Sequence, residues 1–144
     1  MKTKLVIAAA LSTVFLCGTA SARDDISTMP LADIIGTDKA KSALTDVPFY
    51  FAGQSHPKVT SNWGDISTNK KTNAVGKSDE EACQWVLLSA IKALQEAATK
   101  RGYDAVVNIR SNYKNNEFSS ATEYKCGAGS IMAGVALKGE LVKF

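Results

Sequence analysis

The sequence is short of the residues that carry most enzymatic and metal chemistry. One histidine, His56, and three cysteines stand in 144 residues. A lone imidazole, with no nucleophile and orienting partner identifiable around it, does not compose a catalytic triad, and a Cys–His metal site would need the cysteines free. His56 directly precedes Pro57 and reads as a turn residue. No C-x-x-C pair is present to lower a thiol pKa, which argues against a redox enzyme. The carboxylates Asp65, Asp104, Glu117 and Glu123 are scattered and nominate no acid–base pair. The expectation is a non-enzymatic protein with no cofactor and no metal.

A strong excess of charge is missing as well. The chain holds 17 basic and 14 acidic residues, and the basic ones are dispersed. Nucleic-acid binding rests on clustered Lys and Arg that displace counterions, so no nucleic-acid partner is expected. Long apolar runs are limited to one, "LVIAAALSTVFL", which follows Lys2 and Lys4 and leads into Ala20-Ser21-Ala22. It is too short for a stable membrane span and has the form of a secretory leader, with cleavage after Ala22 and release into the periplasm without a membrane anchor. Leu16 before Cys17 speaks against lipidation, because the acylation signal needs a small residue there.

Removing residues 1–22 takes Lys2, Lys4 and Cys17, leaving 15 basic against 14 acidic residues and two cysteines. The remainder is nearly neutral, and its length of about 120 residues suits one domain with one core. In an oxidising compartment a lone pair of thiols is normally joined, so Cys83 and Cys126 are expected to form a disulfide. For a loop of that length the chain-entropy model gives about 4 kcal/mol of stability.

Residues 23–46 mix short apolar clusters with charges and read as a flexible or weakly helical arm; residues 47–144 read as a single α+β domain. "VPFYFAG", Val47 to Gly53, is β-rich, and Val59 to Ile66 is its simplest hairpin partner across the turn at Pro57. "TNKKTNAVGK" reads as a polar turn. Ser78 followed by Glu81 forms a capping box, with Asp79 and Glu80 suiting the helix dipole. Helix formers then run to Lys100 and Arg101, and Gly102 supplies the stop. Val86, Ala90, Ala93, Leu94 and Ala97, widened by Leu87 and Ile91, make one buried face. In "YDAVVNIRSNYK" strict alternation puts Ala105, Val107 and Ile109 on one side and Val106, Asn108 and Arg110 on the other. "ATEYKC" and "SIMAGVALKGELVKF" continue as strands. The predicted fold is a two-layer α+β sandwich: an antiparallel or mixed sheet of four to five strands with one long helix on one face.

Two glycine motifs need weighing. Gly76-Lys77-Ser78 at a helix start matches the end of a phosphate-binding loop, but that loop's first glycine is replaced by Lys71, no buried strand precedes it, and Ser78 serves as a cap. In "YKCGAGSIMAGVALKG" Met132 breaks the G-x-G-x-x-G pattern. Those glycines read as architecture: a bend at Gly127-Ala128-Gly129, and close approach of the helix at Gly134. Asn108 to Ser120, rich in Asn, Ser, Tyr and Arg, is the best candidate recognition loop, with Arg110, Asn112, Tyr113, Asn115, Asn116 and Phe118 as its binding surface. Trp63 and Trp85 read as core or rim packing.

Cys83 on an Ala-rich helix, then "GYDAVVNIRS", then "EYKCGAGSIMAGVALKG" resembles the small RcsF/YbjQ-type α+β domains of the bacterial envelope, over about Ala82 to Lys138. The resemblance implies a disulfide-stabilised sheet with a packed helix that acts by contact with an envelope protein partner, and it implies homo-oligomerisation. The chain is also similar to small exported bacterial proteins often named after an excinuclease subunit, a label for which the GKS fragment offers one origin. The expected role is an envelope protein-interaction module. The competing reading is a small-molecule or metal-binding module in which His56, Asp65 and Tyr113 converge.

Overall fold

The computed structural model describes residues 25–144, so the expected leader and cleavage site lie outside the described residues. In chain order the elements are β1 (Asp25–Pro30), a 3-10 turn (Leu31–Asp33), α1 (Asp38–Ala43), β2 (Phe49–Phe51), β3 (Ser61–Asn73), α2 (Asp79–Arg101), β4 (Ala105–Tyr113), β5 (Asn116–Phe118), β6 (Glu123–Ala128) and β7 (Met132–Lys143).

α2 forms where its end signals place it. Ser78 Oγ accepts from the Glu81 N–H at 3.1 Å, and Gly102 closes the helix in the left-handed region at φ 73°. Its buried face is wider than the alanine stripe suggests, reaching Leu88 and Gln95 as well as Val86, Ala90 and Leu94. The sheet packs against it, and so does the segment between β1 and β2.

The seven strands make one mixed sheet in the order β1-β6-β7-β4-β2, with β3 on β7 and β5 on β4. β3 runs antiparallel along nearly the whole of β7, from Ser61↔Lys143 to Asn73↔Met132. A strand has only two edges, so β6 (at Ala133 and Gly134) and β4 (at Leu137 to Val142) share the other edge of β7. The sheet thus exceeds the four to five strands expected, and three further expectations change with it. β2 does not pair with the Val59 to Ile66 strand in a hairpin; it runs parallel to β4. The polar stretch read as a turn from Thr68 is strand through Asn73, its polarity being that of an edge strand with an exposed face. Residues 25–46, read as a flexible or weakly helical arm, do carry helical turns at Leu31–Asp33 and in α1, but they also join the sheet and core: β1 pairs with β6 from Asp25↔Ala128 to Pro30↔Glu123, and Leu31, Ile34 and Ala40 are buried.

What fixes that segment is Gln95, fully buried on α2. Its Oε1 accepts from the Thr45 N–H at 3.0 Å, and its Nε2 donates to Thr45 O at 3.0 Å and Val47 O at 2.8 Å. A buried primary amide satisfied by three backbone groups clamps the chain before β2 onto the helix.

The sheet face towards α2 carries Ala133, Val135, Leu137 and Leu141 of β7 with Val106 and Ile109 of β4 and Tyr124, Cys126 and Ala128 of β6. The disulfide Cys83–Cys126 joins this face to the first turns of α2 across 5.9 Å between Cα atoms. Gly139 is the glycine that admits the helix: a Cβ there would lie 2.7 Å from Val106 Cγ1 and 3.4 Å from Leu94 Cδ1. Gly134, assigned to helix approach by sequence, faces the opposite side beneath Tyr113. On that outer face a small cluster of Ala105, Val107 and Val142 is covered by Tyr50, Val59 and Phe144.

Strict alternation along β4 fails at Asn108. Val107 pairs with Glu140 but Arg110 pairs with Lys138, so two residues of β4 oppose Gly139, and Asn108 sits at φ 50°. The surplus turns Ile109 to the helix side and Arg110 to the outer face.

A β-branched side chain is strained at that φ, so Asn108→Val is expected to lower the unfolding free energy by about 1–3 kcal/mol while Asn108→Gly stays within about 0.5 kcal/mol, both read from urea titrations. Gln95→Ala, which strands the Thr45 and Val47 backbone groups, is expected to cost about 2–3 kcal/mol in the same measurement.

Candidate functional site

The outer face of the sheet holds a polar cleft of about 350 Å3, lined by Ser67, Thr68 and Asn69 of β3, Ala136 and Lys138 of β7, and Asn112, Lys114 and Asn115 of the β4–β5 hairpin. The hairpin makes the overhanging wall. Tyr113 pairs with Asn116, and Lys114 and Asn115 between them both have positive φ, 52° and 61°, as a two-residue type I′ turn requires. Tyr113 then lies over Gly127 and Gly134. A Cβ at Gly127 would come within 2.1 Å of the phenol oxygen, so glycine at that position is what lets the ring settle on β6.

Beside the cleft lies a closed set of charges. Arg110, 9% exposed, donates from Nη1 to Asp65 Oδ1 at 3.1 Å and from Nη2 to Asp65 Oδ2 at 2.7 Å, a bidentate pair, and from Nη1 to Asn108 O at 3.0 Å. Glu117 stands 3.5 Å from the same guanidinium and accepts from Lys138 Nζ at 3.0 Å. The hydrogen bonds from Arg110 hold the Asp65 carboxyl below its ordinary value and raise the guanidinium. Glu117 is likewise lowered, chiefly by the hydrogen bond from Lys138 and then by the charge of Arg110.

Of the residues nominated from sequence, Asn112 and Asn115 line the cleft, Tyr113 props the hairpin behind it, and Arg110 is locked in the ion network. Asn116 is exposed on β5. Phe118 is not part of the cleft: opposite Ser111, it lies under the Lys125 ammonium at 4.6 Å. Ser67, Thr68, Asn69 and Lys138 were missed. The apolar spacing of Ile66 with half-buried Thr68 and Thr72 was the only signal that this polar stretch is a strand with an outer face.

His56, Asp65 and Tyr113 do not converge. His56 stacks on Phe144 at 6.1 Å, Asp65 pairs opposite Glu140, and Tyr113 covers Gly134, so the three are strung along the length of β7. Among the described residues no group of three or more His, Cys, Asp or Glu could hold a metal ion. In the GKS fragment Ser78 caps α2 and Lys77 Nζ donates to Asn73 O at 2.9 Å. Both tryptophans sit at the rim: Trp63, 56% exposed, meets the edge of Tyr103, and Trp85, 41% exposed, lies under the Lys39 ammonium at 4.1 Å. Comparisons of the chain with protein-family models, with curated proteins and with solved structures return no match.

The Asp65 carboxyl is depressed in the folded chain, so the stability its pair contributes is present above its ordinary value near 3.8 and is lost as pH falls through the lower folded value. Wild type should therefore exceed Asp65→Asn in unfolding free energy at neutral pH, and the gap should close as pH drops below about 4. A gap unchanged down to the lowest pH at which the fold survives would refute an ionic role for Asp65.

Proposed function

We propose that the chain is an exported periplasmic protein of RcsF/YbjQ-like type that works without catalysis, as an envelope protein-interaction module. The polar cleft and the β4–β5 hairpin are its docking surface. The observation that carries this reading is the chemistry of the cleft. Its walls offer amides and hydroxyls, while the carboxylates beside it are committed to Arg110 and Lys138. Such a surface recognises polar backbone and side-chain groups by geometry, as adaptable hydrogen-bonding residues on a rigid support do. The leader-like first residues support export, as does a disulfide between Cys83 and Cys126. Among the described residues no helix is long and apolar enough to cross a membrane.

A second reading, a small-molecule module, is favoured by a hollow of about 310 Å3 lined mainly by Leu31, Ile35, Phe49 and Phe51 with Gln54 at its wall. Both ends of the Gln54 amide are engaged, with Phe51 N and Ala121 O, so this hollow suits only an apolar ligand.

A photo-cross-linking residue in place of Asn115, introduced in cells, is expected to yield a discrete adduct with another envelope protein. The same residue at Glu96, on the exposed side of α2, should yield none. Equal adducts from both positions, or none from either, would reject the docking surface.

A further inference from the structure

β3 pairs with β7 on one edge, and among the described residues nothing pairs with its other edge. From Asp65 to Lys71 no residue of it is buried, only Ile66 and Thr68 being half-buried, whereas β7 beside it is buried from Ala133 to Leu137. The direction of its backbone groups follows from the ladder. Ala74 N–H donates to Ile131 O at 2.7 Å, so the residues in the same phase, Ile66, Thr68, Lys70 and Thr72, turn their N–H and C=O groups towards β7. Asp65, Ser67, Asn69 and Lys71 turn theirs to the open edge. The same four residues point their side chains to the outer face, because Asp65 pairs with Glu140, and Lys71 with Gly134 beneath Tyr113.

An open row of donors and acceptors this long is a template for another strand. Its charge pattern says which one. If two copies pair antiparallel about a two-fold axis through Thr68, the edge-directed residues meet one another: Ser67 faces Asn69 of the second copy and Asp65 faces Lys71. Both are hydrogen-bonding pairs by phase, and the two-fold repeats each, so the ladder gains about eight N–H···O bonds, and each Lys71 meets an Asp65 carboxylate that keeps its pair with Arg110 and is still 46% exposed. Shifting the axis by one residue either way keeps the phase but sets Asp65 against Asn69 or Asn73, and the ion pairs are lost. Lysines on an edge normally keep it unpaired. Here Asp65 and Lys71 both belong to the edge-directed set, so an axis midway between them, at Thr68, makes the edge complementary to itself.

We infer that the exposed edge of β3 is a self-association site through which two copies of this chain join antiparallel about Thr68, extending the sheet across the dimer. The two polar clefts then flank the axis on one continuous face. The inference rests on the edge alone and stands or falls separately from the partner reading of the cleft.

Sedimentation velocity of the exported chain, from micromolar to near-millimolar concentration, is expected to show a monomer–dimer equilibrium weakened by salt. Lys71→Glu puts like charges opposite each other and should raise the dimer dissociation constant about tenfold or more. Independently, Thr68→Cys should cross-link to itself under mild oxidation, since the two axial residues would be close neighbours, while Asn73→Cys should not. A monomer throughout the range overturns the inference. So does a dimer or larger ring whose stability ignores Lys71→Glu, or equal cross-linking from positions 68 and 73.

Discussion

Between Val107 and Arg110, β4 runs past β7 with one residue in excess, and the backbone absorbs it by carrying Asn108 into the left-handed region. Much of the molecule depends on that surplus. Without it Ile109 would share the outer face with Val107, and Arg110 would face α2, where nothing offers a counter-charge. With it, Ile109 fills the space over Gly139 and beneath Leu94, and Arg110 meets Asp65 on the outer face. Asparagine is suited to the position because its short polar side chain tolerates positive φ, which branched residues do not. The same Arg110 then donates back to the Asn108 carbonyl, so the bulge and the ion network brace each other.

The disulfide and Gln95 act on different problems. Cys83–Cys126 fastens the start of α2 to β6, and so to the sheet. Gln95, three turns further along the helix, fastens the chain between α1 and β2, which has no strand partner of its own at Thr45. β1 depends on both, since it reaches the sheet through β6 and reaches the helix through Leu31 and Ile34 in the common core. The sheet, α2 and the N-terminal segment therefore share one interior, which explains why α2 buries Gln95 and small residues at Ala82, Ala90 and Ala98 as well as its larger apolar side chains.

α2, its caps, the disulfide and the C-terminal strands were legible because each depends on local signals: a cap, a stop, an alternating run, a cysteine pair. The N-terminal segment was not. β1 finds its partner about a hundred residues away in β6, β2 is parallel to β4 with α2 between them in sequence, and Gln95 speaks for Thr45 across 50 positions. β3 was half lost for another reason. An edge strand with one solvated face is polar by necessity, and "STNKKTN" looks like a turn until its partner is known. In the candidate site the hairpin asparagines were legible as recognition residues, but the wall that faces them belongs to that hidden half of β3. The bulge at Asn108, which turns Arg110 from a recognition residue into part of a closed network, leaves no periodic trace.

The closed network also limits what the outer face can recognise. Asp65, Arg110, Glu117 and Lys138 bring two charges of each sign within hydrogen-bonding distance of one another, so their combined field falls off quickly and the cleft beside them exerts little long-range pull. Residues 23–144, with 15 basic and 14 acidic side chains, are close to neutral and add no steering of their own. Selection at such a surface comes from the placing of amides and hydroxyls, which penalises a partner that leaves them unpaired, and from the rigidity with which they are held. Arg110 supplies part of that rigidity: it ties β4 to β3 through Asp65 and faces Glu117 of β5, so the floor and the overhanging hairpin of the cleft are fixed by one buried guanidinium.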